Sequence, residues 1–232
     1  MMITFDYKQG DVNGDKIPDI IYLTGNKTPD SPFVQDITLV IIDGKNDNVY
    51  KIPLETNAGY NPTLFLGDFT GDDTLDILVS MDSGGSGGVQ YHYVYSFLNN
   101  KPKILFNYND FNRTYKYKVI YRDYYKVDII SITLNTIYTI DIKYKGQDYL
   151  SEIYYENGKL KKPIEGWVNP LSSLWPIDIE RNGTYELYAV QRIAGRYNAD
   201  ALGYVETILQ WNGFKFIPFQ QYVAIFGKEI SK

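Results

Sequence analysis

The sequence has no cysteine and one histidine among its 232 residues. The first absence removes disulfides, thiol nucleophiles and cysteine-ligated metals, and the second removes any histidine zinc cluster. A chain without cysteine suits the cytosol and bacterial export alike. No apolar run approaches the about 20 residues that span a bilayer, and the opening MMITFDYKQ has no apolar signal core. Either the protein is not exported by that route or a leader has been trimmed. Basic charge is also short: 23 Lys and Arg stand against 28 Asp and Glu, giving a net charge of −5. Nucleic acid is therefore not an expected partner, since its backbone needs a basic patch. GGSGG lacks the Lys-Ser/Thr of a phosphate loop and opens onto a strand.

Aromatic residues are abundant, with 23 Tyr, and hydrophobic residues make up 44% of the chain. That composition suits half-buried strands around a sizeable core. The most informative stretch is GDVNGDKIPDI, Gly10 to Ile20, which returns as GDFTGDDTLDI, Gly67 to Ile77. Oxygen-bearing side chains fall at positions one, three, five and nine of each copy: Asp11, Asn13, Asp15 and Asp19, then Asp68, Thr70, Asp72 and Asp76. Ile17 and Thr74, at position seven, complete the candidate ligand sets. Acids this dense repel unless a cation sits among them, and a hard divalent ion takes six to eight oxygens. Calcium is the expected cofactor. The loop lacks the position-six glycine and position-twelve Glu of an EF-hand, and its flanks ITFDYK, DIIYLTG and DILVSMD read as strands.

These residues resemble the FG-GAP or VCBS-type repeat of integrin-like β-propellers, in which a D-x-[DNT]-G-D-x-x-x-D loop joins two strands of a blade and binds calcium. Asp68 lies 57 positions after Asp11, and two further periods point near 125 and 182. Near the latter, Asp178, Glu180, Asn182 and Glu186 keep positions one, three, five and nine, with Thr184 at seven and the glycine, Gly183, moved to six. Near the former only Asp128 survives, at the ninth place. The expected fold is all-β: one domain over 1–232, a propeller of about four four-stranded blades with repeats near 3–55, 59–107, 113–163 and 168–226. An open ring completed by self-association is the alternative. YLSEIYY reads as a strand of the third repeat, and QYVAIF as a surplus strand free to pair with the N-terminal sheet.

The loops after each second strand, LTGNKTPDSPF, SMDSGGSGGVQ and RIAGRYNADALG, should gather opposite the acidic loops. Loops on a rigid scaffold carry binding. Asp82, Tyr91, His92, Tyr93, Arg192, Arg196 and Tyr197 are the candidate sugar or peptide contacts there, although His92 within YHYVYSF also reads as a packed strand residue. The resemblance implies a calcium-stabilised, non-enzymatic interaction module of a bacterial cell or spore surface, with a protein or glycan ligand. SGGSGG is similar to stretches in proteins of spore-forming Gram-positive bacteria. A polysaccharide lyase or hydrolase on the same scaffold is the alternative.

Overall fold

Runs rich in β-branched and aromatic residues become strands, and acidic or glycine-bearing segments between them become the turns. The computed structural model describes residues 2–85 and 87–227. Its first antiparallel sheet runs in chain order through β1 (Met2–Gly10), β2 (Asp19–Lys27), β3 (Val34–Ile42) and β4 (Val49–Pro53). A second sheet repeats the plan with β5 (Tyr60–Gly67), β6 (Asp76–Asp82), β7 (Gln90–Ser96) and β8 (Lys103–Asn107). The expected strands of the first two repeats are all present. Asp6 of β1 ties the sheets together, its Oδ2 accepting the Leu64 amide of β5 at 2.8 Å.

The second half departs from four equal blades. After helix α1 (Tyr108–Thr114), the strands β9 (Tyr117–Arg122), β10 (Lys126–Ser131) and β11 (Thr136–Asp141) form a meander, followed by helix α2 (Gln147–Ile153). Then come β12 (Glu165–Val168), β13 (Ser173–Ile177), β14 (Glu186–Ala194), β15 (Ala201–Trp211) and β16 (Phe216–Ala224). The all-β expectation holds, but these strands share one eight-stranded sheet, so among the described residues three sheets stand where four were expected. The joint is β12, which pairs with β9 through Gly166↔Val119 and with β14 through Trp167↔Ala194. Only glycine fits there, because a Cβ at Gly166 would collide with the Ala194 carbonyl.

Two local expectations fail for clear reasons. YLSEIYY is mostly helical, because Leu150, Ile153 and Tyr154 are buried at a spacing of three and four residues, which is a helical stripe. QYVAIF supplies no closing strand; its first residues continue β16, where Tyr222 pairs with Glu206 and Ala224 with Tyr204. The core is mainly apolar, with β6 contributing the buried Ile77, Leu78, Val79 and Met81. Each such side chain is worth about 1.5–3 kcal/mol of transfer free energy.

Candidate functional site

Three acidic loops, β1–β2, β5–β6 and β13–β14, share one conformation. In each, the first residue's carboxylate accepts main-chain amides from inside the turn. Asp11 takes Gly14 and Lys16, Asp68 takes Gly71 and Asp73, and Asp178 takes Asn182 and Gly183. In each, the ninth residue's carboxylate accepts the amide of the second: Val12 to Asp19, Phe69 to Asp76, Ile179 to Glu186. Positions four and six are left-handed in all three. Gly14, Gly71 and Arg181 have φ of +83°, +75° and +56°, and Lys16, Asp73 and Gly183 have +68°, +62° and +89°. The displaced glycine of the third loop is thus the same turn with glycine at its other left-handed position.

The loops are also joined in series. Leu75 N–H donates to the Asp11 carbonyl at 3.2 Å, and Tyr185 N–H donates to the Asp68 carbonyl at 2.7 Å. Gly14 sits against Thr74 and Gly71 against Thr184, where an added Cβ would lie 3.4 and 3.5 Å from the respective hydroxyls. The threonines at position seven therefore serve as the seat of the preceding loop. Ile17, at the same position of the first loop, is exposed.

Electrostatics separate the loops. Burial, and then the neighbouring Asp72 and Asp68, push the Asp76 carboxyl up to about 7, against the opposing Phe69 amide and Ser96. Burial likewise raises Asp19, with Asp43 and Asp11 adding to it and the Gly44 and Val12 amides opposing. Lys45 Nζ lies 3.9 Å from Asp15, whereas no ion pair among the described residues reaches Asp68, Asp72 or Asp76. Thr70 Oγ1 is buried without a hydrogen-bond partner. Among the described residues, no three His, Asp or Glu side chains are arranged to hold a metal by themselves. Any cation here would draw on amide, hydroxyl and main-chain oxygens as well. Asp43 and Asn100, which the sequence pattern did not single out, line a hollow of about 390 Å³ beside Asn13 and Asp15. Where the period expected a loop near 125, Asp128 instead meets Arg122 Nε at 2.6 Å.

At the opposite end the seven candidate contacts scatter. His92 is 1% exposed, between Ser80 Oγ at 2.8 Å and Gln90 Oε1 at 3.2 Å, and burial pushes its pKa down to about 3. Tyr93 is buried with its hydroxyl accepting the Thr56 amide, and Tyr91 packs on Tyr108. Asp82 accepts from Gln90 and Asn61. Arg196 binds Glu152 at 2.7 Å and lies over Tyr149, with the exposed Tyr197 beside it. Of the seven, only Arg192 lines a concave surface that the others do not reach.

That surface is a groove of about 430 Å³ on one face of β13, β14 and β15. The registers Trp175↔Tyr188, Ser173↔Val190↔Glu206 and Arg192↔Tyr204 set these residues in adjacent rows, and the two-residue pleat turns them all to the same side. Trp175 is 51% exposed and stacks on Tyr188 with centroids 5.8 Å apart and planes at 26°. Arg192 Nη2 donates to Asn198 Oδ1 at 3.1 Å. Burial, and then Glu206, push the Tyr188 phenol up to about 12, so it stays protonated. Gly87 and Gly88 line the adjoining wall, which brings the β6–β7 and β14–β15 loops together as their positions implied. Trp175, Tyr188, Tyr204 and Glu206 were missed from the sequence. Their signal was alternation along three strands whose pairing the sequence does not show.

Across 96% of its length the chain resembles a rhamnogalacturonan lyase structure from Bacillus licheniformis at 13% identity and a TM-score of 0.43, spanning 34% of that chain. That likeness is too slight to carry an argument. A family model described as the YybI C-terminal domain matches residues 115–224. The chain is also 53% identical over 223 residues to the uncharacterized protein YybI of Bacillus subtilis (strain 168), covering 96% of this chain and 85% of that one. These matches, with the merged third sheet, correct the FG-GAP or VCBS assignment: the chain belongs to the YybI family.

Proposed function

We propose that this chain is a non-enzymatic binding module whose acidic loops take calcium and whose β13–β14–β15 face presents the ligand surface. The observation that carries the calcium reading is the second loop. It holds four carboxylates, Asp68, Asp72, Asp73 and Asp76, with no cationic side chain paired to them among the described residues, together with a buried threonine hydroxyl that has no partner. A hard divalent ion at that point would gain Asp68, Asp72, Asp76 and Thr70 oxygens and cancel their mutual repulsion. Because the loops are joined in series, a cation in one would stiffen its neighbours.

Binding, rather than turnover, is supported by the state of two titratable side chains. His92 is out of a substrate's reach and, with its pKa pushed down to about 3, a weak base, and Tyr188 holds its proton, so neither offers an effective general base to a bound substrate. The test is thermal melting of the full chain in EDTA and in added calcium. The melting temperature should rise with calcium, and identical curves would reject the calcium reading.

A further inference from the structure

We propose that the groove on β13, β14 and β15 is a saccharide site in which a neutral pyranose ring of a glycan stacks on Trp175. This rests on the binding-module reading and names its ligand class.

The argument starts with the indole. Trp175 is 51% exposed and is held in place by its stacking on Tyr188. The outer face of the indole is the flat apolar surface that matches the C–H face of a sugar ring. The remaining lining suits hydroxyls: Arg192 and the Tyr204 phenol donate, while Ser173 and Glu206, which already takes the Tyr188 hydroxyl, accept. A concave site with an apolar floor and a few convergent polar groups is the usual form of a small-ligand pocket, and about 430 Å³ falls within its range.

Charge selects among glycans. Arg192 and Glu206 sit on the same face in adjoining rows, so the lining carries one cation and one anion and no net field to favour a polyanion. The chain's overall charge of −5 works against a polyanion too. An extended peptide is the rival occupant; β14 and β15 are paired on both sides, and a strand joining the open outer edge of β13 would extend the sheet rather than lie across the face that carries Trp175 and Tyr188. Gly87 and Gly88 complete the wall with main chain alone.

The experiment is a fluorescence titration of the full chain in calcium buffer with cellohexaose, mannohexaose, xylohexaose, galactohexaose and polygalacturonate. At least one neutral oligosaccharide should shift the emission saturably. Trp175→Ala should weaken its binding at least about tenfold, and Trp211→Phe should leave it unchanged. Three results would overturn the saccharide site: no response to any neutral sugar, a response to polygalacturonate alone, or wild-type binding by Trp175→Ala. Each would leave the calcium-dependent melting curve as it was, which separates this failure from failure of the scaffold reading. New reducing ends during the titration would keep the saccharide site and overturn the non-enzymatic reading.

Discussion

The Asp68 carbonyl accepts a 2.7 Å hydrogen bond from the Tyr185 amide, although the two residues lie more than a hundred positions apart. This bond fastens the second acidic loop to the third, and the Tyr185 ring reinforces it by packing edge-on to Phe65 at 5.2 Å. Gly67 makes the approach possible, since a Cβ there would lie 2.9 Å from the Tyr185 ring. Tyr185→Ala should cost about 2–3 kcal/mol, less than a fully buried aromatic because Tyr185 is half-buried. In a double-mutant cycle with Phe65→Ala, measured by urea unfolding, the coupling should be about 0.5–1.5 kcal/mol. Strict additivity would show that this ring contact does not join the two sheets.

The second loop should be where calcium and the protein's own stability meet. With calcium at about 100 times its dissociation constant, the gain is about 2.7 kcal/mol, or about 5–10 °C in a chain of this size. Asp76→Asn removes a buried charge that burial and its acidic neighbours already disfavour. In EDTA this variant should melt at or above the wild-type temperature, and in calcium below it. Calorimetry of both proteins in both buffers gives the crossing; equal calcium shifts for the two would remove Asp76 from the site.

Much of the first half was legible because its signals are local. Asp11 to Asp19 and Asp68 to Asp76 fix a turn through bonds that span at most seven residues, and the flanking β-branched runs leave little choice but strands. The second half depends on distant pairing. Nothing near Gly166 in sequence announces that it must pass under the Ala194 carbonyl, and nothing in YLSEIYY announces which periodicity will find a core. The acidic-loop residues could be named from spacing. The groove could not, because Trp175, Tyr188 and Glu206 become neighbours only through the β13–β14–β15 register.

Two buried titrating groups should oppose each other in calcium-free buffer. An unfolded histidine charges near 6.5, whereas folded His92 stays neutral down to about 3, so it removes stability as pH falls from about 6.5 towards 3. Asp76 has the opposite sign. Its folded carboxyl takes a proton near 7 and its unfolded one near 3.8, so stability rises as pH falls from about 7 towards 4. Each slope is at most about 1.4 kcal/mol per pH unit, and in the wild type they largely cancel between about pH 6.5 and 4. His92→Gln should therefore become more stable as pH falls across that window, and Asp76→Asn less stable. Urea midpoints at pH 7, 5.5 and 4.5 decide it; parallel pH profiles for all three proteins would show that neither group titrates as its burial implies.

The third loop offers the sharpest check on whether the three turns are one structure. Arg181 holds a left-handed backbone at position four, where the first two loops have glycine, and Gly183 holds one at position six, where they have Lys16 and Asp73. A non-glycine residue in that conformation costs about 1–2 kcal/mol, offset by the about 0.5–1 kcal/mol that glycine loses in chain entropy. Gly183→Ala should then destabilise by about 1 kcal/mol, and Arg181→Gly should stabilise by about 0.5 kcal/mol. The exchange Arg181→Gly with Gly183→Arg recreates the arrangement of the first two loops and should fall within about 0.5 kcal/mol of wild type by chemical denaturation. An Arg at position six of the third loop would be tolerated there for the reason Lys16 is tolerated in the first: the turn demands left-handed backbone at two places but needs glycine at only one. A large loss in the exchanged variant would mean that the third turn is held by contacts of its own.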